Sequence, residues 1–197
     1  MSNPLKVVLF LGSVREGRLG LRVAKFMFNQ LKKKGYEVSF FDPVEMPFTL
    51  LHKPIFMYRD KAEIPAWLKT ADEQIRAADA YVVVSAEYNH SIPPALSNML
   101  DHFGGSAYAF KPSGIVTYSA GQYGGMRAAM QLRAMLGELG MLSVSNIFGV
   151  PVAQKSLSED GEPLNEHMER GADRLISQLD WYANALRNHR NTAGIPS

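Results

Sequence analysis

The chain has 197 residues, 46% of them hydrophobic and 20% charged, enough to bury one substantial core within the size of a single domain. Its 21 basic and 19 acidic residues nearly balance at a formal charge of +2, which asks for no nucleic-acid partner. The absence of cysteine excludes disulfides, thiolate nucleophiles and Cys-ligated zinc or iron–sulfur sites, so any redox chemistry must come from a bound cofactor.

The start Met1-Ser2-Asn3-Pro4 carries no export pattern, and no apolar stretch approaches the roughly 20 residues that span a bilayer. A cytoplasmic protein without a membrane partner is the expectation. Asn89-His90-Ser91 matches the glycosylation acceptor triplet and is read as coincidence.

Along the chain, Leu5 to Leu11 is a β-rich apolar run, followed by a helix over Leu19 to Leu31 that places Leu19, Val23, Phe26 and Met27 on one stripe. Lys32-Lys33-Lys34 closes that helix, where cations suit the helix dipole, and Gly35 stops it. A second strand spans Tyr36 to Phe41. A long connection, Asp42 to Glu63, carries three prolines and the apolar cluster Ile55-Phe56-Met57-Tyr58, and is expected to be covered by a second subunit beside the site rather than by its own body. A helix over Ile64 to Ala78, a strand over Ala80 to Ser85 and a helix over Ile92 to Phe103 come next. Strands over Ile115 to Tyr118 and Leu142 to Val150 then alternate with helices over Gly124 to Leu139 and Pro163 to Leu186. A single domain is expected over 1–187, with a mobile tail over 188–197.

This alternation specifies an α/β fold with helices on both faces of a parallel sheet. Near-continuous hydrophobicity marks the first, third and fourth strands as buried on both sides, and five strands fit a flavodoxin-like three-layer sandwich of order 2-1-3-4-5. The switch point then falls between the first and third strands, where ligands bind at the C-terminal sheet edge.

Three loops reach that edge. The first, Gly12-Ser13-Val14-Arg15-Glu16-Gly17-Arg18-Leu19-Gly20, offers unpaired helix-start N–H groups, the Ser13 hydroxyl and the charges of Arg15 and Arg18. That set suits a dianionic phosphate, with Gly12, Gly17 and Gly20 letting the backbone curl close; a plain Gly-rich turn with solvated arginines is the alternative. The second, Ala86-Glu87-Tyr88-Asn89-His90-Ser91-Ile92-Pro93-Pro94, suits a planar ring, with backbone donors for a flavin edge and Tyr88 or Asn89 at its face or rim. His90 is read as a packing or substrate-side residue rather than a general base, and Glu87 equally as a structural acceptor. In the third, Tyr118 through Arg127, helix-start donors are placed to face a pyrimidine edge. Together the loops suggest flavin mononucleotide.

The strings Gly-Ser-x-Arg-x-Gly-Arg, Glu-Tyr-Asn-His-Ser-Ile-Pro-Pro-Ala-Leu-x-Asn-x-Leu-Asp and Ser-Ala-Gly-x-Tyr-Gly-Gly-Met-Arg resemble the NADPH-dependent FMN reductase family of quinone and chromate reductases, from Leu5 to about Val152. The resemblance implies that Ser13, Arg15 and the Arg18, Leu19, Gly20 turn hold the FMN phosphate. It implies ring contacts from Glu87, Tyr88, Asn89 and His90, and from Ser119, Ala120, Gly121, Gln122 and Gly124. It further implies a homodimer or dimer of dimers. The pattern departs from the family at Ala86, usually proline, and at Arg18-Leu19-Gly20, where many members carry serine or asparagine.

The expected activity is NAD(P)H-dependent reduction of a small electron acceptor, such as a quinone, azo compound, free flavin or metal oxyanion. NADPH or NADH is the co-substrate, electrons move in pairs by ping-pong hydride transfer, and no catalytic or metal-binding side chain is required. Two alternatives are an electron carrier of the flavodoxin type, disfavoured because such carriers are strongly acidic, and a flavin-binding redox sensor.

Overall fold

A computed structural model describes residues 3–196. Met1 and Ser2 of the expected start and Ser197 of the expected tail lie outside the described residues. Five strands, β1 (Lys6–Leu11), β2 (Glu37–Phe41), β3 (Ala80–Ala86), β4 (Pro112–Tyr118) and β5 (Leu142–Val150), pair in parallel in the order β2-β1-β3-β4-β5. The helices in chain order are α1 (Gly20–Lys33), α2 (Ala66–Ala77), α3 (Pro94–Asp101), α4 (Gly105–Tyr108), α5 (Met126–Glu138), α6 (Ala153–Ser156) and α7 (Glu166–Ala193).

Strand periodicity distributes the core. Val7, Leu9 and Leu11 of β1 point to one side, where they meet Val23, Phe26 and Met27 of α1 and Leu175, Ile176 and Leu179 of α7. Val8 and Phe10 point to the other, against Leu68 and Ile75 of α2, Leu96 and Leu100 of α3 and Leu132 and Leu136 of α5. Every residue of β3 and β4 is buried, as strands covered on both faces must be. The order and the three layers therefore match the expectation. The single-turn α4 and α6 were not foreseen, because four residues cannot display a helical period.

The long connection packs more on its own body than expected. Phe48 lies edge-on to Trp67, His102 and Phe103, and Ile55 is buried. Asn98 of α3 clamps the segment with both ends of its amide, accepting from Leu51 N at 2.8 Å and donating to Thr49 O at 2.9 Å. Leu50, Phe56 and Met57 stay exposed.

The tail needs a larger correction, since α7 continues to Ala193 and the expected boundary after residue 187 falls inside it. Asn188 to Ala193 is helical because Arg190 anchors this end. Its Nη1 donates to Phe110 O at 2.9 Å and its Nη2 faces Asp79 at 3.4 Å.

Candidate functional site

At the C-terminal sheet edge, Leu11 of β1 stands in register with Val84 of β3, and the chain then turns away, Gly12 N donating to Val84 O at 2.9 Å. A cleft of about 290 Å³ opens there. Its floor is formed by Ala86 and Tyr118, the final and paired residues of β3 and β4. Burial pushes the Tyr118 phenol up to about 12, so it stays protonated.

The first loop forms one wall. Gly17 turns at a φ of 64°, which glycine adopts without strain, and Arg18 N donates back to Arg15 O. Ser13 is 1% exposed, with its hydroxyl at the cleft. Helix α1 begins at Gly20 with no side chain capping its first N–H groups and no acid in its first turn, which leaves a positive dipole end without a partner at the loop. Gly20 itself serves packing: a Cβ there would overlap the Tyr118 hydroxyl.

The two arginines of this loop have different fates. Arg18 is drawn inward: its Nη1 donates to Asp42 Oδ1 at 2.6 Å, its Nη2 to Asp42 Oδ2, and the Ser13 carbonyl accepts from Nη1 as well. Asp42 is buried, so this bidentate pair ties the end of β2 to the loop. Arg15 faces outward, and among the described residues no carboxylate pairs with it. Its guanidinium lies 3.6 Å above the centre of the Tyr88 ring.

The second loop is gripped by α5. Glu87 Oε2 accepts from Arg127 N at 2.9 Å and Ala128 N at 3.3 Å, and its Oε1 accepts from Arg127 Nε at 2.8 Å. Gly125, ahead of α5, has no side chain to cap the helix, so Glu87 does it across a gap of 40 residues. Glu87 thus occupies two of the amide donors at the start of α5. Beyond it, Tyr88 and Ser91 exchange both backbone hydrogen bonds around Asn89 (φ 50°) and His90 (φ 63°), the geometry of a type I′ turn. Gln131 of α5 fastens that turn, donating to His90 O at 2.9 Å and accepting from Ser91 Oγ at 2.7 Å.

The structure brings Ser13, Arg15, Arg18, Leu19, Glu87, Tyr88, Ser119 and Ala120 together around the cleft. It leaves Gly20 beneath the Tyr118 phenol, Asn89 and His90 on an exposed turn, Gly121 and Gln122 exposed on the third loop, and Gly124 buried against the backbone of Gly149. Glu16, Gly17, Ala86 and Tyr118, which belong to the same loops but are not among the expected cofactor contacts, also line the cleft. For the last two the available signal was their place at the C-terminal ends of buried strands.

The profile of the family described as NADPH-dependent FMN reductase matches residues 5–155. The chain is 31% identical over 186 residues to a quinone reductase of Escherichia coli (strain K12), covering 91% of this chain and 94% of that one. It is 27% identical to an NADPH azoreductase of Bacillus sp. (strain OY1-2), covering 97% and 99% respectively. Among solved structures, the flavoenzyme NAD(P)H:(acceptor) oxidoreductase FerB from Paracoccus denitrificans shares the fold at a TM-score of 0.70 and 21% identity, over 94% of this chain and 98% of that one.

Proposed function

The chain belongs to the NADPH-dependent FMN reductase family, and from that premise we propose that the cleft at the ends of β1, β3 and β4 receives the phosphate end of FMN. The protein is an oxidoreductase that uses FMN as cofactor and NAD(P)H as electron source.

The observation that carries the placement is the uncapped start of α1 beside the buried Ser13 hydroxyl, with Arg15 free of a carboxylate partner among the described residues. This donor set fits a phosphate dianion and has no use for a neutral ligand. Ser13 and the first N–H groups of α1 would hold the phosphate, Arg15 would add charge at the rim, and Arg18, held by Asp42, keeps the loop in shape. Glu87 and Gln131 fix the ring loop to α5, which presents Tyr88 toward the cleft. FMN bound there supplies a centre that takes up hydride from NAD(P)H and returns two electrons to an acceptor.

The side chains around the cleft offer no acid–base pair: Glu87 is occupied by Arg127 and the α5 amides, and His90 stands out on its turn. Positioning of the two substrates in succession at one open site therefore accounts for the rate, and kinetics should be ping-pong. The relatives reduce quinones and azo compounds by name, and we assign this chain the same class of small, flat, electron-poor acceptors, with free flavin and metal oxyanions beside them. No helix among the described residues is long and apolar enough to cross a membrane. The exposed Leu50, Phe56 and Met57 of the long connection suit burial in a homodimer, which sedimentation analysis would detect as twice the chain mass.

The test is anaerobic spectroscopy of the FMN-loaded protein. The flavin band should bleach on adding NADPH or NADH and return on adding a quinone. Bleaching by dithionite alone would move the protein to the carrier or sensor readings.

A further inference from the structure

Tyr88 belongs by sequence to the loop expected at the flavin ring, yet both parts of its side chain are engaged with the phosphate loop. Its phenol oxygen lies 2.6 Å from Ser13 Oγ, and its ring carries the Arg15 guanidinium at 3.6 Å. Arg15 N also points at Ser13 Oγ, at 3.5 Å. One aromatic side chain thus touches both side-chain groups assigned to the phosphate.

The chemistry of these contacts leaves the donors usable. A serine hydroxyl has one proton and two lone pairs, so when the Tyr88 phenol donates to Ser13 Oγ, the serine proton stays available for another acceptor. A guanidinium stacked through its face keeps its N–H edges in plane and available to an oxyanion. Stacking also restricts a long side chain that would otherwise lose rotamer freedom on binding. Tyr88 is itself held, by the turn that Gln131 fastens and by Glu87 on the start of α5.

We infer that Tyr88 is a positioning residue for the phosphate, and that selection of FMN over unphosphorylated riboflavin depends on this ring-loop tyrosine acting through Ser13 and Arg15. The inference rests on the proposed reading of the cleft as the FMN phosphate site. It moves Tyr88 from the ring to the opposite end of the cofactor. It also links the two loops in one direction: α5 holds the ring loop, the ring loop holds Tyr88, and Tyr88 aligns the phosphate donors.

The experiment measures dissociation constants of FMN and of riboflavin for the apoprotein, by quenching of flavin fluorescence, in wild type, Tyr88→Phe, Ser13→Ala and the double variant, each checked for folding by thermal unfolding. Wild type should prefer FMN. Tyr88→Phe, which removes only the hydroxyl, should weaken FMN by about three- to tenfold, the worth of one hydrogen bond, and leave riboflavin within about twofold. In the Ser13→Ala background the same change should have no further effect on FMN, because the hydroxyl acts through Ser13. Equal weakening of both flavins would place Tyr88 at the ring and overturn the inference, as would two unchanged constants or full additivity with Ser13→Ala. A wild type that binds FMN no better than riboflavin would instead bring down the phosphate reading of the cleft, and the inference with it.

Discussion

The two edges of the sheet treat their polar groups in opposite ways. At the N-terminal edge they are consumed: the three protons of Lys111 Nζ are shared among Ile75 O, Arg76 O, Ala107 O and the Tyr81 hydroxyl, all within 2.8–3.2 Å. Asp79 receives Lys6 N and faces Arg187 and Arg190 of α7. At the C-terminal edge the start of α1 is uncapped, Ser13 opens to a cleft and Arg15 rests on a ring. Polar groups closed on one another hold a fold together; groups left open at a switch point await a ligand. The contrast is sharpest within one loop, where Arg18 is locked to Asp42 and Arg15, three residues earlier, is not.

The largest effect should come from the closed edge. Lys111→Met takes the buried donor from Arg76 O at the end of α2, Ile75 O keeping that of Tyr81, and should cost about 3 kcal/mol, lowering the thermal midpoint by roughly 6–12 °C. FMN affinity of the folded fraction should not change. Calorimetry and flavin titration of the same preparation would check both halves, and a loss of FMN affinity without loss of stability would erase the distinction between the edges.

A smaller effect of the same lysine is its pH dependence. Burial, with repulsion from Arg190 and Arg76 against attraction from Asp79 and Asp72, holds the Lys111 ammonium down at about 8, from an ordinary 10.5. Between those values the unfolded chain keeps a proton that the folded chain has released, so this group adds stability as pH climbs through that window. Above pH 10 the buried phenols of Tyr36, Tyr81 and Tyr108 act the other way, because burial raises them in the folded state and the unfolded chain ionises first. The stability gap between wild type and Lys111→Met, followed by urea unfolding, should widen from pH 8 to pH 10. A constant gap would show that the lysine is not titrating there.

Much of this was legible in the chain and some of it was not. The five strands and their order follow from apolar runs such as Leu5 to Leu11 and Ala80 to Ser85, since strands buried on both faces must be apolar throughout. The three cleft loops follow from their position after those runs. The division of labour inside them does not, because it depends on which side chain meets which across 24 to 75 residues: Arg18 with Asp42, Tyr88 with Ser13. Arg15 and Arg18 look alike as residues and differ only in what lies opposite. The end of α7 was missed for the same reason, its polar sequence hiding an anchor at Phe110 O, 80 residues away.

The smallest expected effect lies on the ring loop. His90 holds a positive φ that a histidine tolerates at a cost, and His90→Gly completes the Asn-Gly pair favoured in type I′ turns. The variant should gain up to about 1 kcal/mol in stability and keep its FMN affinity, because the His90 side chain stands outside the cleft. A marked fall in affinity would bring that side chain back into the site.

The most direct test of the open edge is the dissociation constant of FMN for Arg15→Ala apoprotein, with riboflavin as the control and thermal unfolding beside it. Loss of one charge-assisted contact to a phosphate should weaken FMN by about ten- to a hundredfold, with riboflavin and the thermal midpoint unchanged. Full FMN affinity in that variant would contradict the assignment of the cleft to the phosphate.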